Sequence, residues 1–116
     1  MPLTIKHVTF DSADARRLAS WWAEFLRGDV HDSTDGWYVL VQAPGTSVEY
    51  LGFQRVDDPT GGKNRLHLDL TAGPDRVAEV ERALSLGATT VADHDVGGFR
   101  WTVLADPDGN QFCISD

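Results

Sequence analysis

Apolar and polar positions alternate from Ile5 to Phe10, with Val8 and Phe10 on one side and Ile5, His7 and Thr9 on the other, the pattern of a half-buried strand. Asp11-Ser12-Ala13-Asp14 then offers cap-type side chains. The spacing changes to helical through Leu18, Trp21, Trp22, Phe25 and Leu26, of which Leu18, Trp22, Phe25 and Leu26 make one apolar face, and Gly28 is read as the stop. Asp29 to Gly36 reads as an acidic, turn-rich link. Trp37 to Gln42 and Val48 to Val56 read as strands joined by the Ala43-Pro44-Gly45-Thr46 turn.

The second half replays this order. Asp57 to Lys63 is a polar linker, and Arg65 to Thr71 alternates strictly. Pro74 opens a helix carrying Val77, Val80, Leu84 and Leu86, and Gly87 closes it. Strand-like runs follow at Ala88 to Ala92, Phe99 to Ala105 and Gln111 to Ser115, the last two joined by the tight turn Asp106-Pro107-Asp108-Gly109-Asn110. His7-Val8-Thr9-Phe10 and His67-Leu68-Asp69-Leu70 stand about 60 residues apart, and Phe53-Gln54 precedes Phe112-Cys113 by nearly the same interval. A repeat of this kind implies a duplicated module. The expected fold is α+β: two βαβββ modules, about 1–57 and 64–116, in one domain, with a curved, mainly antiparallel sheet around a cavity and helices outside.

At 116 residues the chain fits one domain able to bury roughly 65% of its unfolded surface. Eighteen acidic against ten basic residues give a net charge of −8, with no basic patch, which argues against nucleic acid as a partner. No run of apolar residues is long enough to span a membrane and the N-terminus shows no signal segment, so the expected location is cytoplasmic. One cysteine, Cys113, excludes an intrachain disulfide and a Cys-rich zinc module. Lysine is scarce beside arginine, a compositional hint of a GC-rich bacterial genome.

Four segments, in order and spacing, resemble the glyoxalase/bleomycin-resistance/dioxygenase group, the vicinal oxygen chelate superfamily. They are His7-Val8-Thr9-Phe10 with its helix, Asn64-Arg65-Leu66-His67-Leu68-Asp69-Leu70, Leu86-Gly87-Ala88, and Ala105-Asp106-Pro107-Asp108-Gly109-Asn110-Gln111-Phe112. Arg65 to Leu70 also looks like a bacterial glyoxalase-like subgroup. The resemblance implies paired modules around a small-molecule cavity, often in a homodimer. It leaves the chemistry open among isomerases, lyases, dioxygenases and drug-sequestering proteins. Metal-dependent members place His or Gln on the first strand of each module and a carboxylate on the last. The corresponding residues are His7, Gln54, His67 and Cys113, so both histidines match and both carboxylates are replaced. The ion implied is Zn, Ni, Mn or Fe.

Alternation sets Arg65, His67 and Asp69 on one face, and three ionisable groups in a row suit a pocket wall better than a dry core. His67 is read as catalytic acid or base with Asp69 orienting it, and Arg65 as a partner for a ligand carboxylate or phosphate, against a plain ion pair with Asp69 or Glu49. Cys113 reads either as a thiolate ligand or as a small, half-buried hydrophobe. Tyr50 falls on the polar face, and Trp37 and Trp101, at corresponding third strands, are candidates to stack on a flat ligand. His31 and His94 fall in acidic segments and are expected at the surface. Two functions follow: a metal-assisted lyase or isomerase, and a metal-free ligand-binding or drug-sequestering protein.

Overall fold

The computed structural model describes Pro2–Asp116. The chain divides into two compact units, one ending at Thr60 and the other spanning Gly61–Asp116. Each carries one four-stranded mixed sheet and one main helix.

In the first unit, β1 (Val8–Ser12), α1 (Ala15–Leu26), β2 (Asp29–Asp32), β3 (Tyr38–Gln42) and β4 (Tyr50–Arg55) form a sheet of order β1-β4-β3-β2. β1 runs parallel to β4, and the other two pairs are antiparallel. Asp14 caps α1 by accepting a hydrogen bond from the Arg17 N–H, while Ser12 Oγ accepts one from the Asp14 N–H. Leu18, Trp22, Val39, Val41 and Phe53 are fully buried between helix and sheet. Phe10 completes this layer, its ring 5.6 Å from Trp22 and 5.1 Å from Phe53.

Two expectations change here. The helix stops at Arg27, which takes the left-handed conformation at φ 55°, and the Gly28 N–H donates back to the Ala23 carbonyl. Gly28 serves instead to let β3 approach, because a Cβ there would collide with the Gln42 carbonyl oxygen. The segment read as a link contains strand β2, whose Asp32 accepts bonds from the Thr34 and Gly36 N–H groups and from the Arg16 guanidinium. Those donors hold the Asp32 carboxylate below its usual range, the Gly36 N–H first and Arg16 next.

The second unit contains β5 (Asp69–Thr71), a 3-10 turn at Gly73–Asp75, α2 (Arg76–Ser85), β6 (Thr89–Val96), β7 (Phe99–Ala105) and β8 (Gln111–Ser115). Its sheet order, β5-β8-β7-β6, repeats that of the first, again with one parallel pair, β5–β8. Leu104, Phe112 and Ile114 are buried on the helix side. Strand β5 is shorter than Arg65–Thr71, and Leu66 is 70% exposed. The Asn64 amide explains why: it donates to the Leu66 and Gln111 carbonyls and accepts from the Gln111 N–H, replacing ladder bonds with side-chain bonds. β6 extends to Val96, past the expected Ala92, with a register shift between Thr90 and Ala92, and a Gly97-Gly98 turn returns it to β7. In the tight turn before β8, the Asp106 carboxylate accepts from the Asp108 and Asn110 N–H groups, and Gly109 takes φ 89°.

The second unit is tied together on the helix side by a polar network. Arg76 donates to Asp116 and Thr102, Thr102 donates to Asp93, and Arg100 donates to the other Asp116 oxygen. Burial pushes the Asp116 carboxyl up, but the bonds from Arg100 and Arg76 outweigh it and hold it below the usual range. A depressed native pKa contributes stability that is complete above the ordinary carboxylate range and is lost as pH falls through the native value. Arg76→Met is therefore expected to raise the pH at which acid unfolding begins, read by circular dichroism during acid titration. An unchanged acid midpoint would show that Asp116 is not tied to folding.

Candidate metal and ligand site

Because side chains alternate along a strand, burying Leu104, Phe112 and Ile114 aims the intervening residues of β7 and β8 to the opposite face. That face of the second sheet lines a cavity of about 720 Å³. The ladder arranges its side chains in rows. Asp69, Cys113, Val103 and Ala92 lie side by side across the four strands, and Thr71, Ser115, Trp101 and His94 form the next row. Val96 and Phe99 face each other beyond it.

His67, just before β5, directs its Nδ1–H at Asp69 Oδ1, 3.0 Å away. Asp69 also hydrogen-bonds Cys113, so one carboxylate joins the imidazole and the thiol. Burial, then the Asp69 charge and hydrogen bond, push the Cys113 thiol up, with Lys63 opposing them. One donor atom from each of His67, Asp69 and Cys113 lies within 4.8 Å of the others, and no other trio of His, Cys, Asp or Glu gathers in this way among the described residues. Nitrogen, oxygen and sulfur donors at this separation fit a transition ion, zinc above all. Three protein donors would leave a coordination position open.

The first unit does not repeat this set. His7 Nδ1 and Thr9 Oγ1 both hydrogen-bond the Tyr38 hydroxyl, at 3.1 and 3.0 Å. By strand register the counterpart of Cys113 is Gly52, because Thr9 pairs with Gly52 as Asp69 pairs with Cys113. A Cβ at Gly52 would collide with the Tyr38 hydroxyl and stand 2.7 Å from Thr9 Oγ1, so the bare position makes room for this hydroxyl pair. Gln54 instead pairs with Asp11 and Tyr38, two pleats along the sheet from His7, roughly 13 Å at strand rise. His7 and Gln54 are thus not brought together.

Of the residues read as ligand-binding, Trp101 lines the cavity. Tyr50 lies beside His7, with ring centroids 6.2 Å apart in the first unit. Trp37 precedes β3, is 56% exposed and packs under the Arg55 guanidinium. Its expected match to Trp101 is off by one residue: register makes Tyr38 the counterpart of Trp101, and a one-residue slip turns a strand side chain to the other face. Arg65 is exposed and is not among the residues lining the cavity, which draws its positive charge from Lys63. His94 is exposed, as expected, but sequence reasoning missed that it lines the cavity and stacks on Trp101 at 4.8 Å and 24°. The Gly97-Gly98 pair between alternating runs carried the signal of the hairpin that places it.

No described helix is long and apolar enough to cross a membrane. No curated protein matches the chain by sequence. Its fold is similar to that of a glyoxalase/bleomycin resistance protein/dioxygenase family enzyme from Burkholderia phytofirmans, with a TM-score of 0.77, 17% identity and 95% of each chain covered. It is also similar to a mutant fosfomycin resistance protein, FosX, from Listeria monocytogenes in complex with Mn(II) and 1S,2S-dihydroxypropylphosphonic acid. There the TM-score is 0.80, with 14% identity over 99% of this chain and 90% of that one. A lactoylglutathione lyase from Agrobacterium tumefaciens has a TM-score of 0.71, with 15% identity over 98% of this chain and 93% of that one. The family model of the glyoxalase-like domain matches residues 7–115, from His7 to the end of β8, and the chain belongs to that family.

Proposed function

We propose that the protein binds a small organic molecule in the cavity of its second unit and acts on it as a metal-assisted lyase or isomerase of the glyoxalase type, using a zinc-like ion held by His67, Asp69 and Cys113. The convergence of these three donors at the cavity wall carries the reading. Held there, the ion supplies Lewis-acid polarisation of a ligand oxygen. Without an ion, Asp69 holds the His67 proton on Nδ1; for His67 to ligate beside Asp69, that proton would move to Nε2 and free Nδ1 as the donor atom. Val103, Trp101 and Phe99 supply apolar walls, and Lys63 brings a cation to the same cavity. The Mn(II) bound by the Listeria FosX lends support from a protein of the same fold. His7 and Gln54 take no part in this reading, and the homodimer implied by the sequence resemblance belongs to the proposal as a separate element.

The test is a titration of the purified, chelator-treated protein with zinc and, for its spectrum, cobalt. One equivalent per chain and a cobalt–thiolate absorption band are expected. Because the Cys113 proton must leave and its thiol is pushed up, affinity is expected to rise about tenfold per pH unit through neutrality. A protein that ignores zinc, cobalt, nickel, manganese and iron alike would discard the metal. One observation favours a metal-free binding protein as the second reading: the raised thiol stays protonated at neutral pH, so Cys113 in the absence of an ion is a small, weakly polar part of the wall. Binding of ligand without metal, and its release unchanged, would select it.

A further inference from the structure

The cavity of the second unit is graded along its strands. One row holds Asp69 and Cys113, beside His67, with Gln111 beyond it. The next row along holds Trp101 and His94, and Phe99 and Val96 follow. Trp101 and Val103 are two residues apart on β7, and Val103 pairs with Cys113, so the aromatic and polar rows are separated by roughly 7 Å at strand rise. His94 stacks on Trp101 at 4.8 Å, and Phe99 leans on it at 5.7 Å. On its other side Trp101 pairs with Ser115, a small residue whose hydroxyl donates to the Leu70 carbonyl. The strand next to Trp101 therefore puts no bulky side chain into the cavity at that row.

From this arrangement we infer that the ligand is a planar aromatic acid: a ring that stacks beside Trp101, backed by His94 and Phe99, joined through a two- or three-atom spacer to an oxygen-donor group at the His67–Asp69–Cys113 end. The inference rests on the reading of this cavity as the ligand site, but not on the metal. Three facts carry it. The aromatic side chains are ordered by contact with one another, so a ring meets a preformed platform whose electron distribution favours offset or edge contacts. A saturated ring of the same size gains burial there without those contacts. The row spacing acts as a ruler, since a carboxyl attached directly to the ring falls short of the polar row and a propanoate arm reaches it. Lys63, which lines the cavity, gives an oxyanion a positive partner, and an ion on the three donors would offset the Asp69 charge and strengthen that end.

The probes are benzoate, phenylacetate, 3-phenylpropanoate and 3-cyclohexylpropanoate, titrated into the full chain by ligand-observed NMR, once in chelator and once with zinc. Expected results are tightest binding for 3-phenylpropanoate, at least fivefold weaker binding for its cyclohexyl analogue and for benzoate, and a further gain with zinc. Trp101→Leu, which keeps bulk but removes the stacking face, is expected to weaken 3-phenylpropanoate at least fivefold, and His94→Ala about threefold. If Trp101→Leu fails to fold, the ring comparison on the unaltered chain and His94→Ala still decide. Equal affinity for the phenyl and cyclohexyl acids, indifference to both variants, or no binding of any probe overturns the inference. Aromatic binding without any response to zinc removes the metal and leaves the ligand class standing.

Discussion

Alanine at His67 is expected to lower zinc affinity by a factor of roughly 100 or more while leaving the fold intact, because it removes one of only three donors. The side chain is 46% exposed and its partner Asp69 is 75% exposed, so losing the imidazole opens no buried cavity and strands no buried charge. Asp69→Asn keeps the shape but loses the charge that orients His67. Because Asp69 is one of the three donors, this is expected to cost more than the roughly 10- to 100-fold that losing a supporting partner costs. His7→Ala and Gln54→Ala are the informative controls. Neither belongs to the trio, His7 is engaged with Tyr38, and register sets Gln54 apart from His7. Zinc titrations of all four variants would separate a site built in the second unit from one that needs His7. Equal losses at His7 and His67 would overturn the assignment.

The second large effect is on stability. Gly28→Ala is expected to destabilise the protein by about 2–3 kcal/mol, at the upper end of what overpacking costs. The new Cβ would collide with the Gln42 carbonyl oxygen and stand 3.1 Å from its carbon and 3.4 Å from Ala43 Cα. All three are backbone atoms, so no rotamer change relieves the crowding. Either β3 moves away from the end of α1 or the Arg27–Gly28 turn unwinds. At Gly52 the obstructing atoms are the tips of Tyr38 and Thr9, which can swing aside, so Gly52→Ala is expected to cost less and to act mainly by breaking the His7–Tyr38 bond. Urea denaturation of both variants ranks them, and a Gly28→Ala midpoint equal to that of the unaltered chain would refute the packing argument.

The helices and most strands were legible in the sequence because burial imposes a period: Leu18, Trp22 and Phe25 on α1, and Phe112 and Ile114 on β8, lie where their spacing put them. Register was harder to read. A slip of two residues returns every strand side chain to the same face, so alternation alone could not tell Gly52 from Gln54 as the match to Cys113. The one-residue difference between Trp37 and Tyr38 does change the face, and the repeat Tyr38-Val39-Leu40-Val41 against Trp101-Thr102-Val103-Leu104 held the answer, with both runs alternating half-buried and buried. β2 was hidden by its acidic, exposed composition, and the strand lost its start around Leu66 because the Asn64 amide bonds the Leu66 carbonyl and both backbone groups of Gln111, which alternation does not encode. His67 with Asp69 was readable from spacing. Their meeting with Cys113 depends on a parallel pairing between distant segments, which local pattern does not reveal.

That parallel pairing also bears on how the chain acquires its structure during synthesis. In each sheet the opening strand hydrogen-bonds the closing one, Val8 opposite Leu51 and Asp69 opposite Cys113, so neither β1 nor β5 has a sheet partner until the last strand of its own sheet has been made. The first ladder is complete once the ribosome has released Arg55, before any strand of the second exists, and order can spread from the N-terminus in two successive steps. In the second step the trio with His67 and Asp69 cannot assemble on the nascent chain until Cys113 has been made, 113 − 69 = 44 residues after Asp69.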